Sequence, residues 1–215
     1  MALSKADVNN INVTAVASKA IQWNSAADGF EVGTLGGSMV LLTTATASGS
    51  ANLTFDSSID STFDSYVFKF INIHPSASAS FTVNFRDGST AYDATKTTAY
   101  FRAYHQENAG GGVLAYDASF DHANQTGFQD LTADSVIADN DSGISGTLQL
   151  FGPSSTTFVK HFMANINSIK AGSSPEMKNS FSSGYCNVTA AIDAVQFKMG
   201  SGNMDSGTIK LYGIK

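Results

Sequence analysis

The residues that could carry out catalysis are few and form no recognisable constellation. The chain has three glutamates, Glu31, Glu107 and Glu176, so the carboxylate pair of a glycosidase would have to include aspartates. No spacing singles out such a pair. The sequence has no nucleophile elbow, phosphate-binding loop or cofactor fingerprint. These observations predict a protein that is not an enzyme and that uses no cofactor, with a carbohydrate-active enzyme as the minority interpretation.

Two groups of residues deserve consideration as metal ligands. Asp139 and Asp141, within the stretch DNDSG, resemble half of a calcium loop, but the spacing of an EF-hand is not met and no bidentate glutamate follows. We therefore predict an ordinary turn without a metal. The histidines also lack zinc-type spacing, which leaves open only a site assembled in three dimensions; they are His74, His105, His122 and His161. The single cysteine, Cys186, excludes an internal disulfide, and we expect a buried thiol.

One predicted strand, residues 100–106, has the composition of a recognition surface. Tyr100, Arg102 and Tyr104 share one face of it, while Phe101 and its alternate neighbours share the other. If the Phe101 face is core, two phenol rings and a guanidinium point outward, and such groups suit sugar faces or anionic polymers. These three residues are the candidate receptor or subunit contact. Subunit packing and an ordinary surface or core position remain alternatives.

The elements that would position these residues are strands with apolar residues at alternate positions. Period-two patterns or apolar runs predict strands at residues 39–46, 51–55, 66–73, 81–86, 100–106, 113–116, 127–131, 147–151, 158–169 and 180–189. Residues 194–215 contain two more, in which Val195 and Phe197, then Ile209 and Leu211, alternate with polar residues. We predict that these last two are neighbouring antiparallel strands that close the core.

Composition agrees with an all-β fold. Of 215 residues, 42% are hydrophobic and 11% aromatic, but only 14% are charged, which fits short strands joined by turns and argues against a charged helical bundle. The prediction is a jelly-roll-like β-sandwich at residues 37–215, with a closed barrel as the alternative. Residues 1–36 are predicted to form a short N-terminal arm, beginning with a brief helix near Ser4 and Asp7. This arm either covers a sheet edge or docks on another chain.

Charge and hydropathy exclude two classes of partner. The net charge is −6 and the chain has two arginines, so it lacks the positive stripe that a nucleic-acid-binding protein needs. No apolar run approaches the roughly 18 residues of a membrane span. The first 14 residues also lack the apolar core of a signal peptide. We therefore expect neither nucleic-acid binding nor membrane insertion.

Several stretches together resemble a group of virion structural proteins of tailed bacteriophages, common in phages of marine bacteria. They are residues 59–63 (IDSTF), 66–75 (YVFKFINIHP), 101–105 (FRAYH), 145–151 (SGTLQLF), 153–157 (PSSTT) and 194–214 (AVQFKMGSGNMDSGTIKLYGI). The resemblance covers residues 38–215. It implies a virion surface protein, similar to tail-fibre or head-decoration proteins, and it brings no functional residues with it.

The resemblance leads to a functional expectation with two versions. The first is an exposed tail-fibre-like or host-contacting component, assembled in the host cytoplasm and acting by noncovalent assembly and surface recognition. The alternative is a capsid decoration, or cement, protein that stabilises the shell. Expected partners are further copies of the chain, as a homotrimer, other virion proteins and a host surface polysaccharide.

Overall fold

A computed structural model describes residues 19–23, 26, 28–34, 38–170 and 174–215. The chain divides into two compact units, residues 1–38 and 39–215, and the boundary predicted from the sequence lies two residues earlier. In the first unit, β1 (Lys19–Trp23) and β2 (Phe30–Thr34) form an antiparallel hairpin. Trp23 pairs with Phe30 and their rings stack with centroids 4.4 Å apart. The helix predicted near Ser4 lies outside the described residues.

The second unit contains a large antiparallel sheet of eight strands. Its spatial order is β3-β14-β5-β10-β11-β12-β7-β8. The strands are β3 (Met39–Thr46), β5 (Ser65–Pro75), β7 (Lys96–Gln106), β8 (Gly112–Tyr116), β10 (Gly143–Phe151), β11 (Lys160–Lys170), β12 (Glu176–Cys186) and β14 (Met204–Ile214). Within the described residues, no helix is long and apolar enough to cross a membrane.

A smaller sheet of four strands packs on the large one. Its order is β4-β13-β6-β9, formed by β4 (Leu53–Phe55), β6 (Phe81–Arg86), β9 (Gln129–Asp130) and β13 (Ala194–Met199). The ring of Phe197 on β13 meets those of Phe68 and Phe70 on β5, with centroids 5.0 and 5.1 Å apart. The core therefore lies between the two sheets, and the predicted all-β sandwich is confirmed. The jelly-roll type of connection stays a prediction.

The prediction for the two C-terminal strands was wrong in one respect. β13 and β14 are not neighbours in one sheet, because β13 pairs with β4 and β6 whereas β14 pairs with β3 and β5. The chain crosses between the sheets at residues 200–203, where Gly202 has a φ of +66°. The buried face of each of these two strands was predicted correctly. The four residues expected there are all buried: Val195, Phe197, Ile209 and Leu211.

Gly146 shows how closely β10 and β11 approach each other. A Cβ added at Gly146 would lie 2.3 Å from the backbone oxygen of Asn165 and 2.8 Å from Cα of Ile166. Because those atoms belong to the backbone of β11, they cannot rotate away. We expect Gly146→Ala to lower the free energy of unfolding by about 1–3 kcal/mol. Chemical denaturation would measure the loss. Gly143→Ala is the matched control on the same strand, since its added Cβ meets nothing within 4 Å.

Candidate interaction surface

Tyr100, Arg102 and Tyr104 do not form an exposed face, because the strand lies the other way round. Tyr100 is 0% exposed, whereas Phe101 is 41% exposed. Arg102 and Tyr104 are half-buried. The premise that the Phe101 face is core was therefore wrong, and Tyr100 cannot contact a receptor or another subunit. Burial also raises the pKa of the Tyr100 phenol.

Acidic residues in the chain after β8 pair with this polar face, which accounts for its inward orientation. Arg102 donates through Nη2 to Asp117 at 3.1 Å and through Nη1 to Asp134 at 2.7 Å. Lys178, the partner of Tyr104 in the neighbouring β12, is buried and contacts Asp134 at 2.5 Å and Glu176 at 2.8 Å. Partial burial opposes ionisation of Asp134, but Lys178 and Arg102 outweigh it and lower its pKa. The guanidinium of Arg102 thus forms two ion pairs within the protein.

The opposite side of the same strands carries the exposed aromatic residues. Tyr116, Phe101, Phe181 and Asn165 lie side by side across β8, β7, β12 and β11. The rings of Phe101 and Phe181 stack with centroids 4.8 Å apart and planes inclined by 10°. The pair therefore forms an aromatic cluster on the outer side of the sheet.

Further uncharged residues extend this surface to the edge of the sheet. Met163 is 60% exposed on β11, and Leu114 and Tyr116 are 76% and 65% exposed on the edge strand β8. The amide of Asn179 donates to Oδ1 of Asn165 at 2.9 Å between the apolar groups. We call the set the uncharged outer face; its members are Ala99, Phe101, Ala103, Leu114, Tyr116, Met163, Asn165, Asn179 and Phe181. Exposed apolar groups concentrated in this way make this face a candidate interaction surface.

Several of the residues considered as metal ligands take part in ordinary hydrogen bonds. The amide of Ser142 donates to the carbonyl of Asp139 at 2.8 Å, which closes a turn over Asn140 and Asp141. His122 contacts Oε1 of Gln125 at 2.9 Å and the carbonyl of Phe128 at 3.1 Å. In the part of the chain that the structure describes, no three His, Cys, Asp or Glu side chains are grouped so as to hold a metal ion.

Cys186 lies between two buried lysines, a feature that no local pattern in the sequence indicates. It pairs with Lys160 of β11 on one side and with Lys96 of β7 on the other. Lys96 donates to the carbonyl of Gly127 at 2.6 Å, and Lys160 to that of Val188 at 2.6 Å. Burial lowers the pKa of Lys96 to about 8 and raises that of Cys186 to about 12. The expected buried thiol is confirmed.

The environment of Cys186 predicts an inert thiol. Both its burial and its raised pKa disfavour the thiolate, which is the reactive form. We expect the native protein to react with a disulfide reagent at mildly alkaline pH far more slowly than the same protein in concentrated guanidinium chloride. Absorbance of the released thiolate would measure both rates. Equal rates would contradict the buried position of Cys186.

The fold and this surface define an all-β sandwich protein with an apolar, uncharged face on its larger sheet. Comparison with protein-family models and with curated proteins yields no match.

Proposed function

We propose that this protein is a bacteriophage virion structural protein, an exposed tail-fibre-like or host-contacting component that acts by noncovalent assembly and surface recognition. The uncharged outer face is the observation that carries the proposal. Its stacked Phe101 and Phe181, together with Met163 and Leu114, form an apolar surface of the kind found at the centres of protein interfaces. The resemblance of residues 38–215 to virion proteins supports the proposal that the chain is part of a virus particle.

The partner of this face, in our proposal, is a second copy of the chain. Each copy carries a net charge of −6, so most pairs of surfaces would bring like charges together. The uncharged outer face has no Asp or Glu among its members, and the carboxylate of Asp121 beside it accepts a hydrogen bond from Tyr116, so this face reduces the repulsion. Two phenylalanines on each copy can interdigitate without an unpaired buried charge. The proposed assembly is a homotrimer, in which three copies of this face meet around the threefold axis.

The proposal predicts that two substitutions abolish self-association. Replacing Phe101 and Phe181 together by serine removes the apolar centre of the face, and the protein should sediment as a monomer where the wild type is a trimer. The fold should persist, because Phe101 is exposed and Phe181 is half-buried, so both lie outside the core, and their stacking adds only about 0.5–1.5 kcal/mol to what they bury. Analytical ultracentrifugation and a thermal melt would measure the two effects.

Phe158→Ser is the matched control, since Phe158 is exposed but does not belong to the uncharged outer face. It should leave the trimer intact. A wild-type protein that stays monomeric at high concentration would contradict the proposed self-association.

Virus particles that carry the double variant distinguish a host-contacting component from a capsid decoration protein. Weaker adsorption by intact particles indicates a host-contacting component, whereas fragile particles with normal adsorption indicate a capsid decoration protein.

A further inference from the structure

A polar cavity of about 540 Å³ opens on the outer side of the large sheet. Strands β5, β10, β11 and β14 contribute to it, and the turn before β10 forms one wall. Its volume lies in the range of small-molecule sites, roughly 300–1,000 Å³. The lining residues are Asn72, His74, Asn140, Asp141, Ser142, Gly143, Ser145, Asn167, Ile169, Asp205 and Ser206.

Irregular pairing between β5 and β14 shapes one side of this cavity. The register shifts on both sides of Ser206, and Asn72 opposite adopts a φ of +49°. Gly207 has a φ of +114°, and a Cβ there would lie 2.5 Å from the carbonyl oxygen of Asn72. Only glycine can occupy position 207, because the backbone of β5 comes this close to it. Bulges of this kind redirect side chains, and they turn Asn72 and Ser206 toward the cavity.

The lining combines groups that recognise hydroxyls. Asp141 and Asp205 supply carboxylate acceptors, and the amides of Asn72, Asn140 and Asn167 offer both donors and acceptors. Ile169, partly exposed, adds an apolar contact. His74 donates through Nε2 to the carbonyl of Asp139 at 2.8 Å. Its Nδ1 stands 3.8 Å from Oδ2 of Asp205, which is beyond hydrogen-bond distance, so the two atoms offer acceptors for two different ligand hydroxyls.

We propose that this cavity binds a neutral hexose of a surface polysaccharide. The inference deepens the proposed function, on which it rests, because it names the ligand of the recognition step. The two carboxylates, with no lysine or arginine among the described lining residues, disfavour phosphate and acidic sugars. A hexose matches the polar rim through its hydroxyls and matches Ile169 through its C–H groups.

Nuclear magnetic resonance titration of the ¹⁵N-labelled protein tests the site. Methyl α-glucoside, methyl α-galactoside, methyl α-mannoside and methyl glucuronide are added separately. We expect at least one neutral hexoside to shift resonances of the cavity residues, with millimolar affinity, and the glucuronide to bind more weakly. The double variant Asp141→Asn/Asp205→Asn should bind that hexoside about tenfold more weakly, because it loses hydrogen bonds to charged acceptors. Asp64→Asn, an exposed substitution outside the cavity, should bind like the wild type.

Three results would overturn the inference: no shift of cavity resonances with any neutral hexoside, unchanged affinity in the double variant, or equal binding of the glucuronide. Calcium chloride alone is a further probe. Calcium-induced shifts at the cavity without any response to the hexosides would assign a cation site instead. The ¹⁵N spectrum of the double variant shows whether it is folded, so loss of binding is distinguished from loss of structure. Self-association through the uncharged outer face is measured separately, so failure here leaves that part of the proposed function standing.

Discussion

Phe197→Ala is expected to lower the free energy of unfolding by about 3–5 kcal/mol, the usual cost of removing a buried phenylalanine. Phe197 is fully buried between the sheets, and its ring meets four others within 6.1 Å, those of Phe55, Phe68, Phe70 and Phe81. Because these rings come from both sheets, the neighbours cannot collapse into the space without moving a strand. Urea denaturation monitored by circular dichroism would measure the loss.

Two further substitutions make this result interpretable. Phe197→Leu keeps most of the volume and should cost less than about 1.5 kcal/mol. Phe158→Ala removes an exposed phenylalanine and should change the free energy of unfolding by no more than about 0.5 kcal/mol. If Phe197→Ala cost no more than Phe158→Ala, the ring cluster would not be the centre of the sandwich core.

Lys178→Met is the second substitution for which we expect a large loss. Lys178 is buried and holds Asp134 at 2.5 Å and Glu176 at 2.8 Å. Its removal leaves the buried Glu176 with Lys170, at 3.8 Å, as its remaining ion-pair partner among the described residues. Removing one partner of a buried ion pair costs about 3–5 kcal/mol. We expect the lower end of that range, because Asp134 is partly exposed and keeps Arg102.

A neighbouring lysine supplies the control for Lys178. Lys170 also pairs with Glu176 but is largely exposed, so Lys170→Met should cost at most about 1 kcal/mol. Adding Glu176→Gln to Lys178→Met should restore part of the lost stability, because the uncompensated carboxylate disappears. A double-mutant cycle from denaturation curves measures this coupling. Equal losses for the two lysine variants would show that the buried network contributes nothing specific.

Alternating apolar residues were sufficient to predict most strands of the second unit. β3 (Met39–Thr46) and β6 (Phe81–Arg86) have the predicted bounds, because both patterns are bounded by clear turn residues. The strand predicted at residues 66–73 runs on as far as Pro75. Alternation identifies a strand and its buried face, but it carries no information about which sheet a strand joins. This is why β13 and β14 were assigned to one sheet although each pairs in a different one.

The interaction surface was harder to predict, because its orientation depends on distant residues. Tyr100 and Arg102 look like outward residues by polarity, and only the later segment containing Asp134 reveals that they are inward and partnered. The Phe101–Phe181 stack joins residues 80 positions apart, so no local pattern reports it. The polar cavity likewise depends on the register shifts around Ser206, which the sequence marks only by Gly207.

An electron cryomicroscopy map of the intact virus particle tests the proposed function most directly. The account predicts density for this sandwich at an exposed position, with copies in contact through Phe101 and Phe181 and the polar cavity open to solvent. Peptide mass spectrometry of the same particles should find the chain in multiple copies per particle. Particles that lack the chain would contradict a virion role. Copies in which the uncharged outer face points into solvent would contradict the proposed assembly.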